Sequence, residues 1–153
     1  MSNLPQNLQQ IVEDFNYCEG NEKLEYLLEM AQQLEPLPDW LYDQRDNMDE
    51  VHECMSPVFM FAEERDGRVY YHFDIPPEAP TVRGFAAILQ QGLGGETVDQ
   101  ITAVPNEFYL QMGLQHVLTG QRLNGIGAIL AHMKTLAQDT RAVSYTHLTL
   151  PTN

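Results

Sequence analysis

Residues 58–74 read VFMFAEERDGRVYYHFD, and this stretch decides the fold class. Its first part, 58–63, opens with an apolar run of aromatic and aliphatic residues, which is typical of a strand. In 68–74 apolar and polar residues alternate, which predicts a half-buried antiparallel strand with Val69, Tyr71 and Phe73 inward and His72 on the surface. Asp66-Gly67 is a strong signal for a tight turn. The stretch therefore predicts a β-hairpin.

Helical patterns lie on both sides of this hairpin. Apolar residues recur at helical spacing in six segments, and Asn21, Thr81 and Asn106 are predicted as N-caps. The segments are residues 4–15, 22–34, 82–91, 97–101, 107–112 and 122–136. Leu28 falls on the apolar stripe of the second pattern. A short third strand at 50–52 precedes the hairpin. Helices, sheet and helices in this order predict an α+β fold, with a small antiparallel sheet of about three strands and helices packed on one face.

Composition narrows the possible partners. The 153 residues suit one domain, and the net charge of -14 disfavours binding to nucleic acid or anionic lipid. Two cysteines do not make a disulfide framework. The N-terminus lacks the pattern of a signal peptide, and no apolar run approaches the roughly 20 residues of a membrane span. These features predict a cytoplasmic protein.

The C-terminal stretch 143–153 differs from the rest of the chain. It reads VSYTHLTLPTN, carries no Asp, Glu, Lys or Arg, and lacks a helical period. It resembles the translation of a transposon-type sequencing adapter. We therefore predict one domain at 1–142 and a non-native tail at 143–153, which is excluded from the fold prediction.

Cys54 is the residue that could carry chemistry. It precedes Pro57 and the first hairpin strand, and so lies on a loop next to a rigid scaffold, where reactive groups are commonly placed. An inert, buried thiol is the competing interpretation. Cys18 follows the first helical pattern without a motif around it and is interpreted as structural. Trp40 is predicted to be anchored in the core.

Three segments of the chain are distinctive when taken together: VHECMSPVF (51–59), APTVRGF (79–85) and LTGQRLNG (118–125). They resemble the SufE family, the sulfur-acceptor proteins that partner cysteine desulfurases in iron–sulfur cluster assembly. The resemblance extends from about residue 4 to residue 137. Two positions depart from the family pattern: Glu53 stands where many members have glycine, and Phe59 where they have tryptophan. The motif around Cys54 is similar to that of actinobacterial-type members.

The resemblance implies a SufE/scaffold-like fold and a role for Cys54 as persulfide acceptor. The sulfur would come from a SufS-like cysteine desulfurase, which uses pyridoxal phosphate, and would pass to a downstream cluster scaffold. The chain would stimulate the desulfurase and would hold no cofactor or metal of its own.

Other residues receive supporting roles on the same basis. The negative charge of Glu53 tends to raise the pKa of the neighbouring thiol. His52, Arg83 and Arg122 are candidates to offset this charge, and each could instead form only a weak surface ion pair. Val58, Phe59 and Leu123 are candidates for the apolar walls that shelter a persulfide.

Four alternatives remain open. The chain could regulate a desulfurase without carrying sulfur. A cluster scaffold needs several converging cysteines, and only Cys18 and Cys54 are present. A redox thiol enzyme is disfavoured because there is no Cys-x-x-Cys motif. A zinc site at His52 and Cys54 lacks a full set of ligands at the usual spacing.

Overall fold

The computed structural model describes residues 4–149, without the side chains of residues 142–149. Within this range the helices are α1 (Gln6–Asn16), α2 (Asn21–Ala31), α3 (Asp39–Tyr42), α4 (Pro80–Leu93), α5 (Val98–Thr102) and α6 (Gly120–Thr149). The strands are β1 (Asp49–Glu50), β2 (Phe59–Arg65), β3 (Arg68–Asp74) and β4 (Glu96–Thr97). The fold is α+β, as the sequence predicts.

The hairpin of β2 and β3 forms the centre of the sheet. Asp66 and Gly67 have φ values of 55° and 81°, and a two-residue type I′ turn requires positive φ at both positions. Arg65 pairs with Arg68 across the turn. The predicted turn and both predicted strands are confirmed.

Two short strands extend the hairpin to the order β1-β2-β3-β4, with every neighbouring pair antiparallel. The third strand lies at Asp49–Glu50, because the chain turns away from the sheet at His52. The sequence predicts about three strands, and β4 is not among them. A two-residue strand carries no periodicity, and Thr97 belongs to the helical pattern predicted at 97–101. Thr97 in fact ends β4 and caps α5 through a capping box with Gln100.

The inner face of the sheet packs against α4 and α6. Val69, Tyr71 and Phe73 are buried on this face, as the alternation predicts. The Tyr71 hydroxyl donates a hydrogen bond of 2.8 Å to the Met133 carbonyl of α6. This bond ties α6, which also contacts the Cys54 loop, directly to the central strand.

The outer face of the sheet corrects two predictions. Trp40, predicted in the core, is 45% exposed and lies edge-on to the rings of Phe61 and His72. His72, predicted on the surface, is half-buried next to Trp40 and lies 3.0 Å from the Glu63 carboxylate. Both differences have one cause, since α3 brings Trp40 onto a face that the prediction left open to solvent.

Helix α4 runs through the core against α1 and α2. The helical pattern at 82–91 predicts one apolar face, and Phe85, Ala86, Ile88 and Leu89 form it and are buried. A Cβ at Gly84 would collide with the Leu27 backbone, and its distance to the Leu27 carbonyl carbon would be 3.0 Å. The glycine therefore allows α2 and α4 to pack at backbone distance.

The starts of two helices differ from prediction. Asn21 is the first residue of α2, and Gly20, with a φ of 56°, takes the N-cap position. Helix α4 begins at Pro80 with Ala79 as its N-cap, so Thr81 lies inside the first turn. Proline favours the first helical position because its missing N–H has no partner there in any case.

Two further helical predictions are only partly met. The pattern at 107–112 forms a 3-10 turn, Phe108–Met112, that starts after Glu107 with no side-chain cap from Asn106. Leu28 is exposed, because α2 packs against α4 with one side only.

Helix α6 is longer than predicted, running from Gly120 to Thr149 instead of from 122 to 136. The apolar face predicted by the helical pattern at 122–136 is buried at Ile126, Ile129, Leu130 and Met133 and half-buried at Leu123. The sequence contains no proline or glycine between Gly127 and Pro151 to end the helix. Residues 150–153 of the predicted non-native tail lie outside the described residues.

Candidate functional site

Cys54 lies in the loop between β1 and β2, which we call the acceptor loop (residues 52–57). The Val51 N–H donates to the Val58 carbonyl at 2.8 Å, which closes the base of the loop. Both valines are buried. Inside the loop, the Cys54 N–H donates to the Val51 carbonyl at 3.4 Å. The core thus fixes the loop at its base, while its tip has no regular secondary structure.

The thiol of Cys54 packs against the middle of α6. It is half-buried, and its S–H donates to the Gly125 carbonyl with an S···O distance of 3.5 Å. A Cβ at Gly125 would lie 3.3 Å from the sulfur. The absence of a side chain at Gly125 is therefore what lets the acceptor loop lie this close to the helix.

The surroundings of Cys54 keep it protonated. Burial, and to a lesser extent the charge of Glu53, raise the pKa of the thiol to about 11. The effect of Glu53 agrees with its predicted direction. Because the thiolate is the nucleophile of thiol chemistry, the resting site is weakly reactive at neutral pH.

Glu53 makes a second contact between the acceptor loop and α6. Its carboxylate lies 3.3 Å from Nε2 of His132. The pKa of Glu53 is lowered by a hydrogen bond from its own backbone and by His132. No pattern in the sequence around either residue indicates this contact, because Glu53 and His132 are far apart in the chain.

The sequence was compared with known proteins and families. The profile of the SufE family, described as "Fe-S metabolism associated domain", matches residues 9–137. An uncharacterized SufE-like protein of Mycobacterium tuberculosis is 42% identical over 134 residues, covering 87% of this chain and 92% of the relative. The chain belongs to the SufE family.

Two further comparisons agree with this membership. An uncharacterized SufE-like protein of Synechocystis is 36% identical over 135 residues, covering 88% of this chain and 82% of the relative. The solution structure of a hypothetical protein from Thermus thermophilus superimposes with a TM-score of 0.80 at 33% identity, covering 91% of this chain and 98% of that one. SufE membership gives the chain a role in iron–sulfur metabolism.

The supporting residues predicted for this SufE chain lie in different places. His52 is 80% exposed and lies 3.8 Å from the Glu50 carboxylate. Arg83, at the start of α4, donates to the Ile75 carbonyl at 2.6 Å. Neither is among the causes of the pKa shift of Cys54. His52 is instead one of the groups that lower the pKa of Glu53.

Arg122 has a different position. It is exposed in the first turn of α6, one helical turn before Gly125. Its backbone N–H is capped by the Thr119 hydroxyl at 3.3 Å. The helix therefore brings Arg122 to the Cys54 end of the SufE domain, although it too does not contribute to the thiol pKa shift.

The apolar residues around the SufE site are also distributed unevenly. Val58 is fully buried and Leu123 is half-buried against the core, as is Cys54. Phe59 lies on the outer side of β2, where it lines a cavity of about 370 Å³ with Arg45 and Asp74. Val58, Leu123 and Cys54 thus all belong to or pack against the same hydrophobic core, whereas Phe59 faces elsewhere.

Cys18 lies apart from the acceptor loop in the fold. It is half-buried after α1, and its S–H faces the Asp14 carbonyl at 3.7 Å. Across the described residues of this SufE chain, no group of three or more His, Cys, Asp or Glu side chains is arranged to hold a metal ion. None of its helices there has both the length and the hydropathy that a membrane span requires.

The raised pKa of Cys54 predicts a distinct pH dependence. We expect alkylation of native Cys54 by iodoacetamide to accelerate about tenfold per pH unit above neutrality and to level off only near its pKa of about 11. In the urea-unfolded chain the plateau should come near the ordinary value of about 8.5. Peptide mass spectrometry at a series of pH values measures the alkylation rate of Cys54 in the native chain and in the unfolded chain. A native plateau at or below pH 8.5 would contradict the prediction.

The same shift has a consequence for stability. The folded chain keeps the Cys54 proton at pH values where the unfolded chain has lost it. The free energy of unfolding therefore falls as pH rises from about 8.5 toward the folded pKa of about 11.

Proposed function

We propose that this chain accepts persulfide sulfur from a cysteine desulfurase on Cys54, stimulates that enzyme, and passes the sulfur on for iron–sulfur cluster assembly. The observation that carries the proposal is the position of Cys54. It lies within the SufE active-cysteine motif, on a loop that is anchored at its base and has an irregular tip next to α6. Such a loop can present one thiol to a partner protein while the domain stays folded.

The chemistry requires one thiol and no metal. The Cys54 thiolate attacks the outer sulfur of the desulfurase persulfide. A new S–S bond forms on Cys54, the original S–S bond breaks, and its electron pair leaves as the thiolate of the desulfurase cysteine. The proton of Cys54 goes to solvent or to a base in the complex. The desulfurase supplies the pyridoxal phosphate chemistry that produces its own persulfide.

This transfer requires the acceptor loop to leave its resting position. In that position the sulfur is half-buried and its S–H is donated to Gly125. An attacking thiolate must be deprotonated and must have a clear path to the persulfide. Movement of the loop away from α6 removes both the burial that raises the pKa of Cys54 and the carbonyl that favours the neutral thiol. A docked desulfurase would thus activate the thiol by exposing it.

The surface of the loop fits contact with a protein partner. Met55, next to Cys54, is 76% exposed, although methionine side chains are mostly buried. A flexible thioether of this kind packs readily against varied surfaces. A reducing compartment such as the cytoplasm suits this role, because it keeps Cys54 and Cys18 free of disulfide pairing.

Peptide mass spectrometry tests the proposal. After incubation with a cysteine desulfurase and cysteine, without reductant, we expect one additional sulfur on the Cys54 peptide and none on the Cys18 peptide. The Cys18 peptide is an internal control for nonspecific reaction with released sulfide. No gain on Cys54 while the chain still accelerates the desulfurase would contradict sulfur transfer and favour the regulator alternative.

A further inference from the structure

Two contacts fasten the tip of the acceptor loop to the same face of α6. The Cys54 thiol contacts the Gly125 carbonyl, and the Glu53 carboxylate contacts His132 at 3.3 Å. Gly125 and His132 are about two helical turns apart and therefore lie on one side of the helix. Adjacent loop residues thus bind two points along α6.

The two contacts differ in strength. A thiol is a weak hydrogen-bond donor, whereas a carboxylate bonded to an imidazole forms a charge-assisted hydrogen bond. Apart from these two, the described polar contacts of the loop are the backbone bonds at Val51 and the ion pair of His52 with Glu50, all on the sheet side. The Glu53–His132 contact is therefore the main polar link between the loop tip and the helix.

We propose that His132 is a positioning residue for sulfur transfer, because it holds Glu53 against α6 and so keeps the acceptor loop in its resting position. The proposal rests on the function proposed for Cys54. In this arrangement the free energy needed to break the Glu53–His132 contact is part of the free energy needed to expose the thiol. The binding free energy of a desulfurase that docks onto the loop has to offset it.

No other basic side chain of α6 with described contacts takes this place. Lys134 donates to the Val104 carbonyl and is bound there. Arg141 is paired with Asp99 at 2.6 Å. His52 is next to Glu53 in sequence and is a minor contributor to the lowered pKa of Glu53, but its ring lies 3.8 Å from the Glu50 carboxylate and has no described hydrogen bond to Glu53.

Removing the Glu53–His132 contact should increase the rate of sulfur uptake when the chain is present at a concentration below half-saturation of the desulfurase. In His132→Ala the open loop becomes more populated, and the apparent affinity for a partner rises with the fraction of molecules in the competent state. Because the pair is largely exposed, we expect an increase of about twofold to fivefold. The rate at saturating chain should stay unchanged, since the same open state reacts.

The experiment uses a Cys18→Ser background, in which Cys54 is the only thiol. Iodoacetamide alkylation reports exposure of Cys54 without any partner, and persulfide formation with a desulfurase reports transfer. His52→Ala is the matched control, because it removes a histidine and an ion pair on the sheet side of the same loop. His132→Gln tests rescue, because the amide can still donate to Glu53.

The expected result is faster alkylation and a lower half-saturating concentration in His132→Ala, with His52→Ala and His132→Gln close to the parent. Equal alkylation rates in His132→Ala and His52→Ala, or slower low-concentration uptake in His132→Ala, would overturn the proposal. Failure of the proposed function has a different signature. No variant would then gain sulfur, while His132→Ala would still be alkylated faster.

Discussion

Replacement of Cys54 by serine is expected to reduce sulfur uptake from a cysteine desulfurase to background. A serine hydroxyl forms no nucleophilic oxyanion near neutral pH without a dedicated base. The hydroxyl can still donate to the Gly125 carbonyl, which holds the thiol in the parent chain, so the loop and the fold should be preserved. Transfer of ³⁵S from labelled cysteine to the chain, with circular dichroism as a check of folding, measures the effect.

Cys18→Ser provides the control for this experiment. Its thiol donates to the Asp14 carbonyl 3.7 Å away, and a serine hydroxyl can replace that contact. We expect it to take up sulfur at the rate of the parent. Label on a Cys54→Ser chain would contradict the proposal that Cys54 accepts the sulfur. One that carries no label yet stimulates the desulfurase fully would show that stimulation and transfer are separate activities.

Gly84→Ala is expected to cause a large loss of stability. A Cβ at this position would overlap the Leu27 backbone, which belongs to α2 and cannot rotate away as a side chain could. The two helices would have to separate, and such overpacking typically costs about 1–3 kcal/mol. The gain in helix propensity from glycine to alanine, at most about 1 kcal/mol, offsets only part of this.

A glycine without neighbours gives the matched control for Gly84. At Gly120, in the first turn of α6, a Cβ would meet nothing within 4 Å. Gly120→Ala should therefore leave the midpoint of thermal unfolding nearly unchanged. Gly84→Ala should lower it by several degrees, since each kcal/mol shifts the midpoint of a domain of this size by about 2–4 °C. Equal midpoints for both variants would contradict the inferred close packing of α2 and α4.

Local patterns account for the parts of the fold that the sequence predicts well. The turn at Asp66-Gly67 and the alternation of Val69, Tyr71 and Phe73 depend on neighbouring residues, and both appear as predicted. The apolar face of α4 is similar, because its periodicity is contained in one segment. Helix ends are less well predicted, since Pro80 and Gly20 take positions that side-chain capping rules assign to other residues.

Long-range contacts account for what the sequence does not predict. Glu53 and His132 are 79 positions apart, and nothing near either residue indicates the other. The sequence instead favours His52, the histidine closer to Cys54, as the partner that offsets the charge of Glu53, but the ring of His52 lies near Glu50. The prediction that Trp40 is anchored in the core is wrong for a related reason. A large aromatic residue is usually buried, but α3 places Trp40 on the outer face of the sheet.

The bond between the Cys54 thiol and the Gly125 carbonyl makes the resting loop selective for the charge on sulfur. A carbonyl oxygen can accept a hydrogen bond from S–H but offers no donor to an anion. The Gly125 carbonyl therefore holds the neutral Cys54 thiol at α6 and repels the Cys54 thiolate. The position of the loop and the ionisation of Cys54 are therefore coupled, because loss of the thiol proton removes the hydrogen bond that links the sulfur to α6.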